Sequence, residues 1–464
     1  MEAISLPSPL RYSSLRSPIP PLLRRSSSLK ATLPRSQSRS RPLALQRSDH
    51  DVVVVGAGII GLTIARQLLL NSDLSVAVVD ASVPCSGATG AGQGYIWMAH
   101  KTPGSSVWEL GLRSKQMWEE LAEELERDGM DPLDVLGWKR TGSLLIGRNS
   151  EETVMLKERA RVFSQARVRA EYLSSSSLLS EEPALEVGKE SGALFLPDDC
   201  QIDASRAVDF IEKGNKGFAS KGRYVEFYNN PAIRLLRSDR NGEVEAVETS
   251  DNILYGKKAV VIAAGAWSGS LMRSLVVNPQ ALPDVPVIPR KGHLLVLENF
   301  NKIHLNHGLM EAGYIDHQVA KTPNTPFVSE RVDEQNLSSI SMTATMDMIG
   351  NLVLGSSRQF IGFNKELDES IVQRIWDRAG DFFPSLRVLS HDINQYKEIR
   401  IGLRPYMPDG KPIIGPLPGL PKVLLATGHE GSGLSLALGT AEMIFDMILE
   451  NPLKVDCAPF LFPR

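Results

Sequence analysis

The chain has 464 residues, 42% hydrophobic and 23% charged, an ordinary composition for a soluble globular protein, and the length favours two domains over one core. The formal net charge is −3, but residues 1–48 hold nine basic residues and one acid, which leaves 42 basic and 53 acidic residues and a net charge of −11 beyond them. So acidic a body argues against a nucleic-acid partner.

Residues 1–48 are rich in serine and arginine ("YSSLRSP", "RRSSSLK", "PRSQSRSR"), with Glu2 as their one acid and little apolar periodicity. This is the composition of an organellar transit peptide. The serine load and the lack of an amphipathic helix favour the chloroplast over the mitochondrion. Cys85, Cys200 and Cys457 form no C-x-x-C or metal-ligand spacing, which points to a reducing setting without a disulfide framework. No apolar run reads as long enough to span a bilayer; the longest lies near Val52–Ala65.

"DVVVVGAGIIG" (51–61) is a β-branched run without alternation, as a strand buried on both faces requires, followed by a glycine turn. Gly56, Gly58 and Gly61 fit G-x-G-x-x-G: one for the tight turn, one for backbone approach to a pyrophosphate, one for close packing of helix on strand. "IIGLTIARQLLL" continues as a helix whose first N–H groups, from Ile59 and Ile60 on, face that phosphate. "LSVAVVDAS" is a second buried strand ending at Asp80 and Ala81, where a carboxylate takes ribose hydroxyls and would repel a 2′-phosphate. The turn by itself does not separate NAD from FAD.

In "ATGAGQGYIW" (88–97), the Thr89 hydroxyl and the open backbone at Gly90, Gly92 and Gly94 suit contact with phosphate and ring. "VWELGLRSKQMWEELAEELER" predicts an amphipathic helix, with Leu110, Met117, Leu121 and Leu125 near one face. "TGSLLIGR" predicts a strand, and "SEETVMLKERARVFSQAR" and "ASRAVDFIEKGNKGFASKG" predict helices. "RYVEFYN", "AIRLLRS", "GEVEAVETS" and "AVVIAAGAWS" read as strands, with a hairpin turn at "DRNGE". The last stops at Ala263–Ala266, small residues where something flat approaches the backbone at Ala264 and Gly265. Over 286–395 come the strands "GHLLVLE", "SSISMTATM" and "NLVLGSS" and a helix at "DESIVQRIWDRAGDFF", with a long polar loop at 316–338 that suits a lid.

"KVLLATGHEGSGLSLALGTAEMIFDMI" is strand, glycine turn, then helix. A dissociable nicotinamide cofactor gives no reason for this second turn. A flavin does, since its ring needs N–H groups and a helix dipole to stabilise the charge it gains on reduction. Gly428, His429, Gly431, Gly433 and Leu434 are therefore candidate ring contacts, and His429 is read as shaping the turn. His293, in "PRKGHLL", is read as a satisfied sheet residue.

The chain resembles the D-amino-acid oxidase-like flavoproteins from Asp51 to its end. "VVVVGAGIIG", "ATGAGQG", "GALFLPDDCQIDASRAV", "VVIAAGAWS", "PRKGHLLV", "HGLMEAGYI", "LVLGSSRQFIGF", "GLRPYMPDGKPIIGP" and "ATGHEGSGLSLALGTAEMI" carry the resemblance. Several pieces are similar to the opine and hydroxyproline dehydrogenase type. The resemblance implies an α/β fold: a Rossmann-like FAD-binding domain (49–128, 201–285, 396–464) interleaved with an α+β substrate domain on an antiparallel sheet (129–200, 286–395). It also implies FAD held non-covalently, since no cysteine lies where sarcosine oxidases attach theirs. Arg404, in "GLRP", matches the arginine that grips the substrate carboxylate in glycine oxidase-like members, and a planar guanidinium suits that task; a structural salt bridge is the alternative. Tyr314 falls on a strand where members place a tyrosine over the substrate; a core or rim tyrosine is the alternative. Glycine oxidases put a second arginine where this chain has Gly431, which argues against glycine as substrate.

The implied reaction is oxidation of the C–N bond of an amino acid or secondary amine by hydride transfer to flavin, without a strong side-chain base. The electron acceptor, oxygen or another carrier, stays open. An assembly or stabilising factor for an electron-transfer complex, built on the same fold, and a NAD-dependent dehydrogenase are the alternative readings.

Overall fold

The four valines that open the first glycine turn decide the layering. In the computed structural model, which describes residues 45–240, 242–275, 284–298, 300, 303–318, 338–388, 397–420 and 422–462, they close the strand Gln46–Val55. Val52 and Val54 face a core shared with Leu62, Leu68, Trp118 and Ile444, while Val53 and Val55 face another with Val247, Leu254 and Leu425. Side chains alternate along a strand, so a strand covered on both sides needs apolar residues at every position.

This strand is central in the first sheet, whose order is Ile413–Pro416, Val423–Thr427, Asn252–Ile262, Gln46–Val55, Val76–Val79 and Tyr224–Phe227. All neighbours run parallel except the Ile413–Pro416 edge. The hairpin Ala232–Arg237/Val244–Thr249 adds antiparallel to Asn252–Ile262. Pairing starts at Gln46↔Asn252, so Gln46–Ser48, read from sequence as the end of the transit segment, belong to the folded body.

The second sheet has the order Lys397–Tyr406, Ile288–Leu297, Leu352–Gln359, Ser338–Met346, Gly308–Glu311, Ser143–Gly147, Gly192–Leu196 and Glu171–Ser174. It is antiparallel apart from one parallel junction, Gly308–Glu311 with Ser143–Gly147. Lys397–Tyr406, grouped by sequence with the nucleotide-binding part, is an edge strand here and carries Arg404. Both sheets belong to one compact unit beginning at Leu45.

The helix Gly433–Leu449 is buried along most of its length. By length and composition the stretch Glu430–Leu449 could cross a membrane, a feature the sequence reading overlooked, but 72% of its apolar window is buried inside the fold. It lies against the helices Ile59–Asn71 and Trp108–Arg127 in one core. Trp118 Nε1 donates to the Leu434 carbonyl at 3.0 Å, and Arg113 grips Glu442 with two hydrogen bonds of 2.8 and 2.6 Å. These contacts hold the second glycine turn in place. The proposed lid lies mostly outside the described residues; its first residues belong to the helix Gly313–Gln318. Tyr314 is therefore on a helix, not a strand.

Candidate active site

The two glycine turns open onto one cavity of about 470 Å³ between the sheets, within the usual range of small-molecule sites. Gly56 has φ +119°, and a Cβ there would sit 2.3 Å from the Ala263 carbonyl oxygen. The chain can turn between these two strands only without a side chain. Gly58 lines the cavity, and Ile59 N–H donates to Thr89 Oγ1 at 3.2 Å. Asp80 sits across the turn, its carboxylate accepting from Ala57 N–H and Ser82 N–H, each at 2.7 Å.

At the other end the helix Gly433–Leu449 begins at the cavity. Neither this helix nor Ile59–Asn71 is capped by its own N-cap side chain. With Ile59 N–H taken by Thr89, the positive dipole ends and the N–H groups after Ile59 are what the two helix starts offer to whatever occupies the space. His429 is buried and its Nε2 lies 3.0 Å from Thr440 Oγ1. Burial holds its pKa down at about 3, so it is neutral and braces the turn, as the sequence suggested.

Of the expected cofactor contacts, Gly56, Gly58, Ile59, Ile60, Asp80, Ala81, Thr89, Gly92, Gly94, Ala264, Gly265, His429, Gly431, Gly433 and Leu434 line the cavity. Gly61, Gly90 and Gly428 do not, and each has a packing reason. A Cβ on Gly61 would meet the Gly56 carbonyl at 1.9 Å, one on Gly90 the Cys85 carbonyl at 2.3 Å, and one on Gly428 (φ +83°) Met407 Cγ at 2.5 Å. None of the three cysteines lines the cavity.

Arg404 and Tyr314, the expected substrate contacts, also line it. The Arg404 guanidinium lies flat on the neighbouring strand: a Cβ on Gly292 would fall 2.5–2.6 Å from Nη2, Cζ and Nη1. Nη1 donates to the Ser357 carbonyl at 2.9 Å. Among the described residues Arg404 has no carboxylate within 4.0 Å, so the structural salt bridge finds no partner there. His293 is on the opposite side of its strand from Gly292, fully buried, with backbone N–H on Ser357 Oγ at 2.9 Å. Burial lowers its pKa to about 4; it is a buried sheet residue as expected, but only partly satisfied, since its Nε2 has no hydrogen-bond partner among the described residues.

Sequence reasoning missed Gly292, Arg290, Arg358 and Glu430. Glu430 has φ +47° and reaches Arg290 Nη1 at 3.4 Å. Arg290 and Arg358 are only 2% and 3% exposed. The signal for both was available: an arginine inside an otherwise buried strand, in "PRKGHLL" and "GSSRQF", is a cation with a task.

The cavity suits a dinucleotide. It runs from a ribose-side carboxylate, past an uncapped helix start beside Thr89, to a second uncapped helix start facing a floor of glycines. The model of the family described as FAD dependent oxidoreductase matches residues 51–447. The chain belongs to that family. It is an FAD-dependent oxidoreductase, and the nicotinamide alternative is set aside. Its relatives include hydrogen cyanide synthase subunit HcnC of Pseudomonas protegens, 25% identical over 89% of this chain and 96% of that one. Glycine oxidase of Geobacillus kaustophilus is 25% identical over 89% and 97%. The crystal structure of that glycine oxidase superposes with TM-score 0.72 at 23% identity, covering 90% of this chain and 99% of the other. L-proline dehydrogenase from P. horikoshii gives TM-score 0.72 at 17% identity over 89% and 97%. The flavoprotein fold expected from the resemblance is the fold found.

Proposed function

We propose that this FAD-dependent oxidoreductase oxidises the C–N bond of an amino acid or a secondary amino (imino) acid. The observation that carries the reading is Arg404: a guanidinium held in the cavity wall, laid flat on a glycine, with a backbone carbonyl and, among the described residues, no carboxylate as its partner. Such a planar fork suits a carboxylate held by two parallel hydrogen bonds. FAD, when bound, supplies the hydride acceptor. Arg404 would hold the substrate carboxylate and Tyr314, which also lines the cavity, would limit the space left for the side chain. Neither lining residue His429 nor Asp80 is a base for this chemistry: burial keeps His429 neutral, and Asp80 is committed to the first turn. Gly56, Gly58, Asp80 and Thr89 are the proposed contacts of the nucleotide end. The relatives named glycine oxidase support an amino-acid substrate.

Arg404→Ala tests the reading. Loss of a desolvated ion pair costs about 2–5 kcal/mol, or roughly thirty- to several-thousand-fold in turnover efficiency, with FAD content unchanged. Flavin bleaching by an amino acid and by its decarboxylated amine is compared in both proteins. The reading fails if the two substrates lose the same factor.

A further inference from the structure

Three arginines stand on one face of the second sheet. Side chains alternate along a strand, so Arg290 shares the face on which Gly292 and Leu294 meet the cavity. On one flank the Lys397–Tyr406 strand sets Arg404 directly opposite Arg290. On the other flank Arg358 lies two residues after Ser356, which also lines the cavity. The three strands are adjacent in the sheet. Like charges directly opposed across strands destabilise a sheet, and buried cations are costly without counter-ions.

Glu430 faces Arg290 at 3.4 Å. Among the described residues neither Arg358 nor Arg404 has a carboxylate within 4.0 Å. Arg358 donates Nη1 to Ser341 Oγ at 3.0 Å, and its guanidinium lies over the Tyr314 ring, 4.2 Å from the centroid. Its Nη2 is buried without a hydrogen-bond partner. Among the described residues two guanidiniums thus have no carboxylate in ion-pair contact beside a cavity read as an amino-acid site, Glu430 acting on Arg358 only from a greater distance, and one α-carboxylate answers only one of them.

We propose that the substrate carries a second anionic group, held on the Arg358 side of Tyr314 while Arg404 takes the α-carboxylate. The substrate class is an amino or imino dicarboxylic acid. This rests on the amino-acid reading above. Tyr314 lines the cavity, whereas Arg358 lies beneath its ring and does not, so the second group reaches Arg358 only past the edge of Tyr314.

The test is a calorimetric titration of the FAD-loaded, oxidised protein with unreactive acids that lack the amine. Succinate and glutarate are compared with propionate and butyrate. The dicarboxylates should bind at least about tenfold more tightly, a step of roughly one charge-assisted contact. Arg358→Met should erase that preference while leaving propionate affinity within about twofold, and Arg358→Lys, which keeps the charge, should retain part of it. Equal affinity of wild type for mono- and dicarboxylates overturns the second anion and leaves the amino-acid reading standing. If none of the four acids binds, both fall. A preference that survives unchanged in Arg358→Met also overturns the assignment to Arg358.

Discussion

A single methyl group at position 292 should disable the carboxylate clamp proposed for Arg404 without harming the fold. An ideal Cβ on Gly292 lies 2.5 Å from Arg404 Nη2 and 2.6 Å from Cζ and Nη1, whereas non-bonded carbon contacts rest at about 3.5–4.0 Å. The guanidinium must therefore lift by ~1 Å. A misplacement of about 1 Å costs on the order of a hundredfold in rate, or about 2.7 kcal/mol at 1.4 kcal/mol per tenfold. Stability should hold, because Gly292 sits in extended strand opposite Gly402 and the atoms that must move are the free end of a side chain. Removing a glycine from the unfolded chain even adds about 0.4–1 kcal/mol. The assay is anaerobic flavin bleaching by whichever amino acid reduces the wild type, alongside melting temperature and FAD content. The double variant Gly292→Ala/Arg404→Ala should be no slower than Arg404→Ala alone, since both changes act through one group. A bleaching rate in Gly292→Ala equal to wild type refutes the reasoning. Additive losses in the double variant would refute it too.

Three further outcomes are expected. Gly58→Val should purify largely without FAD, because the new Cβ starts 3.3 Å from Thr89 Oγ1 and its methyls enter the space at the uncapped helix start; a full complement of FAD in that variant counts against the phosphate-side assignment. The melting temperature should fall as pH drops from about 7 to about 5. Burial holds His429 near 3, below its ordinary 6.5, so its stabilising effect is complete above about pH 6.5. It is lost by ~1.4 kcal/mol per pH unit below that, as only the unfolded chain takes up the proton. His429→Asn should show a shallower decline than wild type, and equal slopes would exclude His429 as a source. Residues 1–48 fused to a fluorescent protein should reach plastids. Terminal sequencing of the processed protein should find cleavage before Gln46, whose strand pairing starts the folded body; uniform cytosolic fluorescence, or a terminus inside 46–55, defeats this.

Much of the nucleotide half was legible because its constraints are local. Four consecutive valines, G-x-G-x-x-G and a strand ending at Asp80 lie within one short unit, and each residue type answers a demand of its own turn or strand. The second glycine turn was legible for the same reason. The long apolar helix after it was harder to judge. Glu430–Leu449 has the length and hydropathy of a membrane span, and only the helices Ile59–Asn71 and Trp108–Arg127 packed against it make it a core helix.

The second sheet was less legible, because its meaning depends on which strands become neighbours. Arg404 drew attention from its motif, but its strand read as part of the nucleotide-binding body, and nothing local places it opposite Arg290 or over Gly292. Those relations join segments separated by more than a hundred residues of chain, and hydrogen-bond register alone decides them. Likewise Gly90 and Gly428 look like ligand contacts in glycine-rich stretches, yet they make room for a carbonyl and Met407 instead, while Gly61 serves the helix-on-strand packing its place in the motif implies. A glycine in sequence says that a side chain is not tolerated; what occupies the room is fixed only when distant strands and helices close around it. The sequence by itself thus determined the cofactor-binding turns and the chemistry they serve. The tertiary structure decided what faces the cavity from the second sheet, since guanidiniums from three adjacent strands come together only once the sheet has formed.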